Sequence, residues 1–61
     1  MNHLIFKKPW NVVKKKLQKK WSKLTEADLK EIEDDHSAVY ERLDEYYGYT
    51  RERADKELNQ L

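Results

Sequence analysis

Trp10, Val13, Leu17, Trp21 and Leu24 recur at spacings of three and four, the rhythm of an α-helix read along its buried side. Pro9 suits the first turn of that helix, because its fixed φ is already helical and the N–H it lacks would have had no partner there. At about 100° per residue, Lys15, Lys16, Lys19, Lys20 and Lys23 fall on the opposite side, Lys14 flanks the stripe, and Val12 stands off it as an exposed apolar residue. Position on the stripe makes both tryptophans core residues rather than base-stacking or membrane-anchoring ones.

A second helix is predicted from Thr25, whose hydroxyl can accept from the amide of Asp28, with Glu26 and Asp28 in the positive first turn. Asp28 is shorter than the Glu or Gln that completes a capping box, so only the forward bond is expected. Leu29 and Ile32 then face the core. The apolar rhythm pauses over residues 33–37, where Asp35 or Ser37 can cap a third helix carrying Val39, Leu43 and either Tyr46 or Tyr47. Leu29, Ile32, His36, Val39, Leu43 and Tyr47 equally fit one helix of about 22 residues, roughly 33 Å long. We favour two short helices, because a fused one would outrun the cover that the first and last can give it.

Gly48, the one glycine, follows Tyr46 and Tyr47 and precedes Tyr49 and Thr50. It fits the left-handed residue that ends a helix, and Thr50 fits the cap of the next. That last helix places Ala54, Leu58 and Leu61 on one narrow side. Glu26 with Lys30, Glu52 with Lys56 and Arg53 with Glu57 stand one turn apart. The periodicity thus predicts an all-α chain with a core of Trp10, Val13, Leu17, Trp21, Leu24, Leu29, Ile32, Val39, Leu43, Tyr47, Ala54 and Leu58, and structural corner and caps at Thr25, Gly48 and Thr50. Residues 1–8 read as an N-terminal arm before a single domain over 9–61.

The chain has 61 residues, enough for one domain that buries only about 60% of its unfolded surface. It contains no cysteine, which removes disulfides, thiolate metal clusters and a thiol nucleophile and fits a reducing, intracellular setting. Apolar content of 38% beside 41% charged residues fits a helical, surface-rich domain, and taken alone would also fit a partly disordered one. No apolar run approaches the roughly 20 residues of a membrane span, and Leu4, Ile5 and Phe6 are too few for a signal-peptide core, so a soluble, unprocessed chain is expected.

A net charge of +1 hides a segregation: residues 1–23 carry +8 and residues 24–61 carry −7. Such a split can mark a nucleic-acid or membrane footprint, but it fits better a basic helix lying against acidic ones. With two histidines, two serines and no cysteine, nothing sets a nucleophile, a base and an orienting acid together, and no enzyme is expected. Asp34, Asp35 and His36 point about 100° apart in turn and read as a solvated turn, so no metal and no cofactor is expected. His3 and the four tyrosines read as surface, corner and core residues, and no RNA-binding motif appears.

Trp10 to Leu17, then Trp21-Ser22-Lys23-Leu24-Thr25 with Asp28, Leu29 and Ile32, then Tyr47-Gly48-Tyr49-Thr50 with Glu52, Ala54, Glu57 and Leu58, resembles the CsbD-like family of small bacterial general stress-response proteins. The resemblance covers residues 10–61 and lies in three pieces at the family's spacing rather than in any one of them. It implies a cytoplasmic protein folded as a small orthogonal bundle of four short helices, two hairpins packed crosswise, with no established biochemical activity and no catalytic residues to carry over. Members similar to this chain usually have glycines where Lys15, Ser22, Asp34 and Glu41 stand, and different residues at Leu4, Ile5, Phe6 and Pro9. Loss of the glycine at position 34 gives weight to fused second and third helices.

Three functions follow as expectations. The first is a stress-response protein that binds an unknown protein partner. The second is nucleic-acid binding through a polyanion-binding face of Lys15, Lys16, Lys19, Lys20 and Lys23, opposed by the acidic remainder of the chain. In the third, Leu4, Ile5, Phe6 and Trp10 enter an anionic membrane surface, unless the first three fold back over the bundle instead. A monomer or a weak homodimer is expected.

Overall fold

Pro9 opens the first helix by its backbone alone: at φ −54° and ψ 142° its carbonyl accepts from the amides of Val12 and Val13 at 3.0 and 3.2 Å, and no side chain caps the end. The computed structural model describes residues 4–61, in which a 3₁₀ turn, Leu4–Lys7, precedes α1 (Trp10–Lys20), α2 (Glu26–Asp34), α3 (Ala38–Tyr47) and α4 (Arg51–Asn59). Among the described residues there is no strand, and the protein is an all-α bundle. His3 and the side chain of Leu4 lie outside the described residues, so the roles expected of them are left there.

The stripe that begins on α1 continues past the end of the helix. Trp21 leaves helical geometry at φ −124° and ψ 82°, and a turn closed by the Leu24 amide on the Trp21 carbonyl at 3.1 Å brings both side chains back inside. The next cap is tighter than the sequence suggests. Thr25 Oγ1 accepts from the Asp28 amide at 3.1 Å, and Asp28 Oδ2 accepts from the Thr25 amide at 3.0 Å, so the shorter acid completes the box.

α2 and α3 are separate helices. Asp35 turns extended at φ −145° and ψ 104°, its carboxylate accepts from the Ser37 amide at 3.1 Å and the Ser37 hydroxyl at 2.7 Å, and its carbonyl accepts from Ala38 at 2.9 Å. Asp35 therefore directs the break, and the Ser37 side chain caps nothing itself. A short polar side chain that bonds the backbone two residues on supplies the turn without a glycine.

α3 ends on Gly48, the one described residue at positive φ (69°), whose amide bonds the Asp44 carbonyl at 2.8 Å. Thr50, extended, caps α4 by accepting from the Arg53 amide at 3.2 Å. α3 packs against both α2 and α4, while the N-terminal turn lies against α1 and α4. The Cα radius of gyration of 10.3 Å is what a single folded domain of this length has, about 10.5 Å.

Ile5, Val13, Leu17, Trp21, Leu24, Leu29, Ile32, Ala38, Val39, Leu43, Ala54 and Leu58 form one buried cluster. Each large member contributes about 1.5–3 kcal/mol through the apolar surface it removes from water. Trp10 and Tyr47 stand at its rim, half-buried, with Phe6, Tyr40, Tyr46, Tyr49 and Leu61. Ile5 reaches the centre and is 2% exposed, and Phe6 beside it stacks on His36 with centroids 4.3 Å apart and planes 16° from parallel. The first turn thus folds onto the bundle.

Candidate interaction surface

With Val13 and Leu17 turned inward, α1 directs its lysines along three different bearings. Lys15 and Lys19 are exposed on the outer side, and Lys16 is half-buried on one flank. Lys14 reaches across to Glu26 of α2 at 2.7 Å, and Lys20 reaches Glu57 of α4 at 3.3 Å while lying 5.6 Å from the Trp21 ring centroid. Lys23 sits beyond the helix, its amide donating to the Tyr47 hydroxyl at 3.2 Å and its ammonium to the Tyr46 carbonyl at 3.5 Å. The five lysines grouped by helical projection therefore divide: Lys20 and Lys23 are engaged within the fold, and Lys15, Lys16 and Lys19 face outward or sideways.

The tyrosines around Gly48 are fastened to the rest of the chain. The Trp21 indole N–H donates to the Tyr49 hydroxyl at 3.4 Å with the rings edge to face, and Tyr49 lies 5.7 Å from Tyr47. Arg53 covers the Tyr49 ring at 4.5 Å, and Lys23 lies over Tyr47 at 5.2 Å. Tyr40 donates to the Asp55 carboxylate of α4 and carries the Arg51 guanidinium over its face at 4.4 Å. Burial first, and then that bond to the Asp55 carboxylate, holds the Tyr40 hydroxyl above its ordinary range.

Asp28 is the buried charge of the molecule among the described residues, 7% exposed. It accepts from Tyr46 at 2.6 Å and Thr25 at 3.0 Å, with Arg42 Nε 3.8 Å away. Burial pushes its carboxyl up, but the bonds from Tyr46 and Thr25 and the nearby Arg42 charge outweigh it and leave the group below the usual carboxylate range. Tyr46 is raised in turn, chiefly by its bond to Asp28. Desolvation lowers Arg42, but the charges of Glu31, Glu45 and Asp28 more than restore it, Glu45 and Glu31 lying 2.7 and 3.4 Å from its outer nitrogens. Asp35 is held low by the hydroxyl and amide of Ser37.

Among the described residues no three side chains gather as a metal site, and no helix is long and apolar enough to cross a membrane. Of the residues around Asp34, the Asp35 carboxylate is occupied by Ser37 and the His36 ring by Phe6. The Asp28, Arg42 and Tyr46 cluster was not singled out by sequence reasoning, and an acid at the third position of a capped helix is the one signal that pointed toward it.

The chain is similar to bacterial proteins across most of its length. A UPF0337 protein of Pectobacterium atrosepticum is 41% identical over 49 residues, covering 80% of this chain and 71% of the relative. A UPF0337 protein of Protochlamydia amoebophila is 40% identical over 48 residues, covering 79% and 73%. The UPF0337 protein YjbJ of Escherichia coli K12 is 35% identical over 49 residues, covering 80% and 71%. No family model matches the chain, and no solved structure matches it.

Proposed function

Because the chain belongs to the UPF0337 family, the CsbD-like proteins, we propose that it is a non-enzymatic cytoplasmic protein of the bacterial stress response that acts by binding a protein partner through its charged outer surface. The reading is carried by where the engaged polar side chains lie. Groups tuned for catalysis have to face a reacting molecule. Asp28, Tyr46, Arg42, Tyr40 and Asp35 are each engaged within the fold: Tyr46 and Arg42 join α3 to Asp28 of α2, Tyr40 joins α3 to α4, Asp28 closes the start of α2, and Asp35 holds the turn between α2 and α3. Their chemistry is structural, which leaves the outward charges for recognition.

A nucleic-acid interface on α1 would draw on Lys15, Lys16 and Lys19, since Lys20 and Lys23 already have partners in the fold. Insertion of the N-terminal apolar residues into a membrane would require Ile5 to leave the core.

The test is a strain lacking the protein, challenged by osmotic, oxidative, acid and starvation stress, together with affinity capture from stressed cells with and without nuclease. Reduced survival under at least one stress, restored by the wild-type chain, and a captured protein indifferent to nuclease are the expected results. Unchanged survival under every stress would sink the stress context, and a partner lost on nuclease treatment would replace protein binding with nucleic-acid binding.

A further inference from the structure

α1 and α3 present opposite charges to solvent, each on the side away from its own buried stripe. With Val13 and Leu17 inward, the advance of about 100° per residue puts Val12, Lys15 and Lys19 on the outer ridge of α1. Both lysines are exposed, and Val12, at 36%, is the large apolar side chain that the described surface leaves open. With Val39 and Leu43 inward, the outer ridge of α3 carries Glu41 and Asp44, both exposed. Glu45 beside them is held by Arg42, and Arg51 nearby is turned onto the Tyr40 ring. The outward sides of α2 and α4 mix their signs, Lys30 with Asp34 and Glu52 with Lys56. The ion pairs that α1 makes within the chain, Lys14 with Glu26 and Lys20 with Glu57, lie on its flanks and leave both ridges unneutralised among the described residues.

We infer that the partner of these ridges is a second copy of this chain, with α1 of one molecule lying along α3 of the next so that Lys15 and Lys19 face Glu41 and Asp44 around Val12. Residues three and four apart on a helix stand about 5–6 Å from one another, so the two lysines and the two acids are in register. A copy is favoured over a polyanion because the molecule as a whole is nearly neutral, at +1, and carries both halves of the contact. Two copies close into a dimer where both ridge pairs meet about a twofold axis, and otherwise add head to tail. Exposed ion pairs are individually weak and screened by salt, which makes the association weak and salt-dependent. Self-association of this kind needs no cellular partner and stands apart from the stress role.

Sedimentation equilibrium and amide NMR shifts of the full chain at about 20 mM and about 300 mM salt test it. At low salt the average mass should rise with protein concentration and amides of α1 and α3 should move together, with a dissociation constant at least about tenfold higher at the upper salt. The double variants Lys15→Glu with Lys19→Glu, and Glu41→Lys with Asp44→Lys, should each be monomeric alone and associate when mixed, and Val12→Asp should weaken the wild-type contact. Helical circular dichroism establishes that each variant is folded, and the salt dependence of the wild-type chain decides the matter if one is not. A monomer at low salt, an association indifferent to salt, or a mixture of the two double variants that stays monomeric would overturn the inference. So would shifts confined to α1 on adding a short DNA duplex to a chain that does not self-associate, which would make the ridge a polyanion site.

Discussion

The Tyr46 hydroxyl donates at 2.6 Å to the same Asp28 oxygen that accepts from the Thr25 amide at 3.0 Å. One carboxylate thus closes the N-terminus of α2 and ties it to α3. Asp28→Ala should remove the reverse half of the capping box and leave Tyr46 without its acceptor, for a loss of about 1–2 kcal/mol. In a domain of this size that is a fall in Tm of several degrees, about 4–8 °C for each kcal/mol. Asp28→Asn keeps an oxygen in place but loses the charge facing Arg42, and should fall between the two. Thermal circular dichroism of the three chains checks the order, and an unchanged Tm for Asp28→Ala would mean that the network adds nothing to stability.

The same pair contributes to the pH dependence at both ends, beside Asp35 at the acid end and Tyr40 at the alkaline one. Asp28 is lowered in the folded chain, so the stability it contributes is present above the unfolded carboxylate value, about pH 4, and is lost as pH falls through the lower folded one. Tyr46 is raised, so its contribution is present below about pH 10 and is lost as pH rises through the higher folded value. Asp28→Asn should flatten the acid limb of stability against pH, only in part, because Asp35 is also held low and remains. Urea denaturation at several pH values checks this, and parallel curves for the two chains would refute it.

At Gly48 the backbone sits at φ 69°, yet an added Cβ would meet nothing within 4 Å. The whole cost of a side chain there is conformational. Gly48→Val should destabilise by more than about 1 kcal/mol, because a β-branched residue tolerates positive φ poorly, while Gly48→Asn should cost clearly less. The urea midpoint at constant m value measures both, and equal losses for Val and Asn would point to a steric rather than a backbone cause.

Helical spacing makes the inside of this fold legible and its ends much less so. Val13, Leu17, Leu29, Ile32, Val39, Leu43, Ala54 and Leu58 are at the three-and-four positions, and all are buried in helices. Trp21 and Leu24 keep the same spacing although α1 stops at Lys20, because a tight turn returns them to the core, and periodicity does not distinguish that turn from another turn of helix. Lys20 and Lys23 look solvated on a helical wheel, and their partners Glu57 and Tyr46 are distant in sequence and enter only through the packing. The Asp28 cluster escapes for the same reason: the cap is local and readable, whereas Tyr46 arrives from another helix. The outer ridges of α1 and α3 are readable, since each follows from the stripe on its opposite side.

Ile5 carries the remaining prediction. It lies on a one-turn 3₁₀ segment too short to persist alone, and its burial at 2% exposure shows the N-terminal turn held by the bundle rather than by its own hydrogen bonds. Three neighbours share that hold: the turn lies against α1 and α4, and Phe6 stacks on His36 at the junction of α2 and α3. Removing the Ile5 side chain leaves a void where these elements meet. Ile5→Ala should therefore cost about 2 kcal/mol or more, and Ile5→Val about 0.5–1.5 kcal/mol. Since the total stability expected for 61 residues is roughly 3–9 kcal/mol, the alanine variant should unfold at visibly lower urea. Phe6→Ala, at the rim, should cost less than Ile5→Ala. Equal midpoints for the wild-type and Ile5→Ala chains would show that the bundle is complete without its first turn.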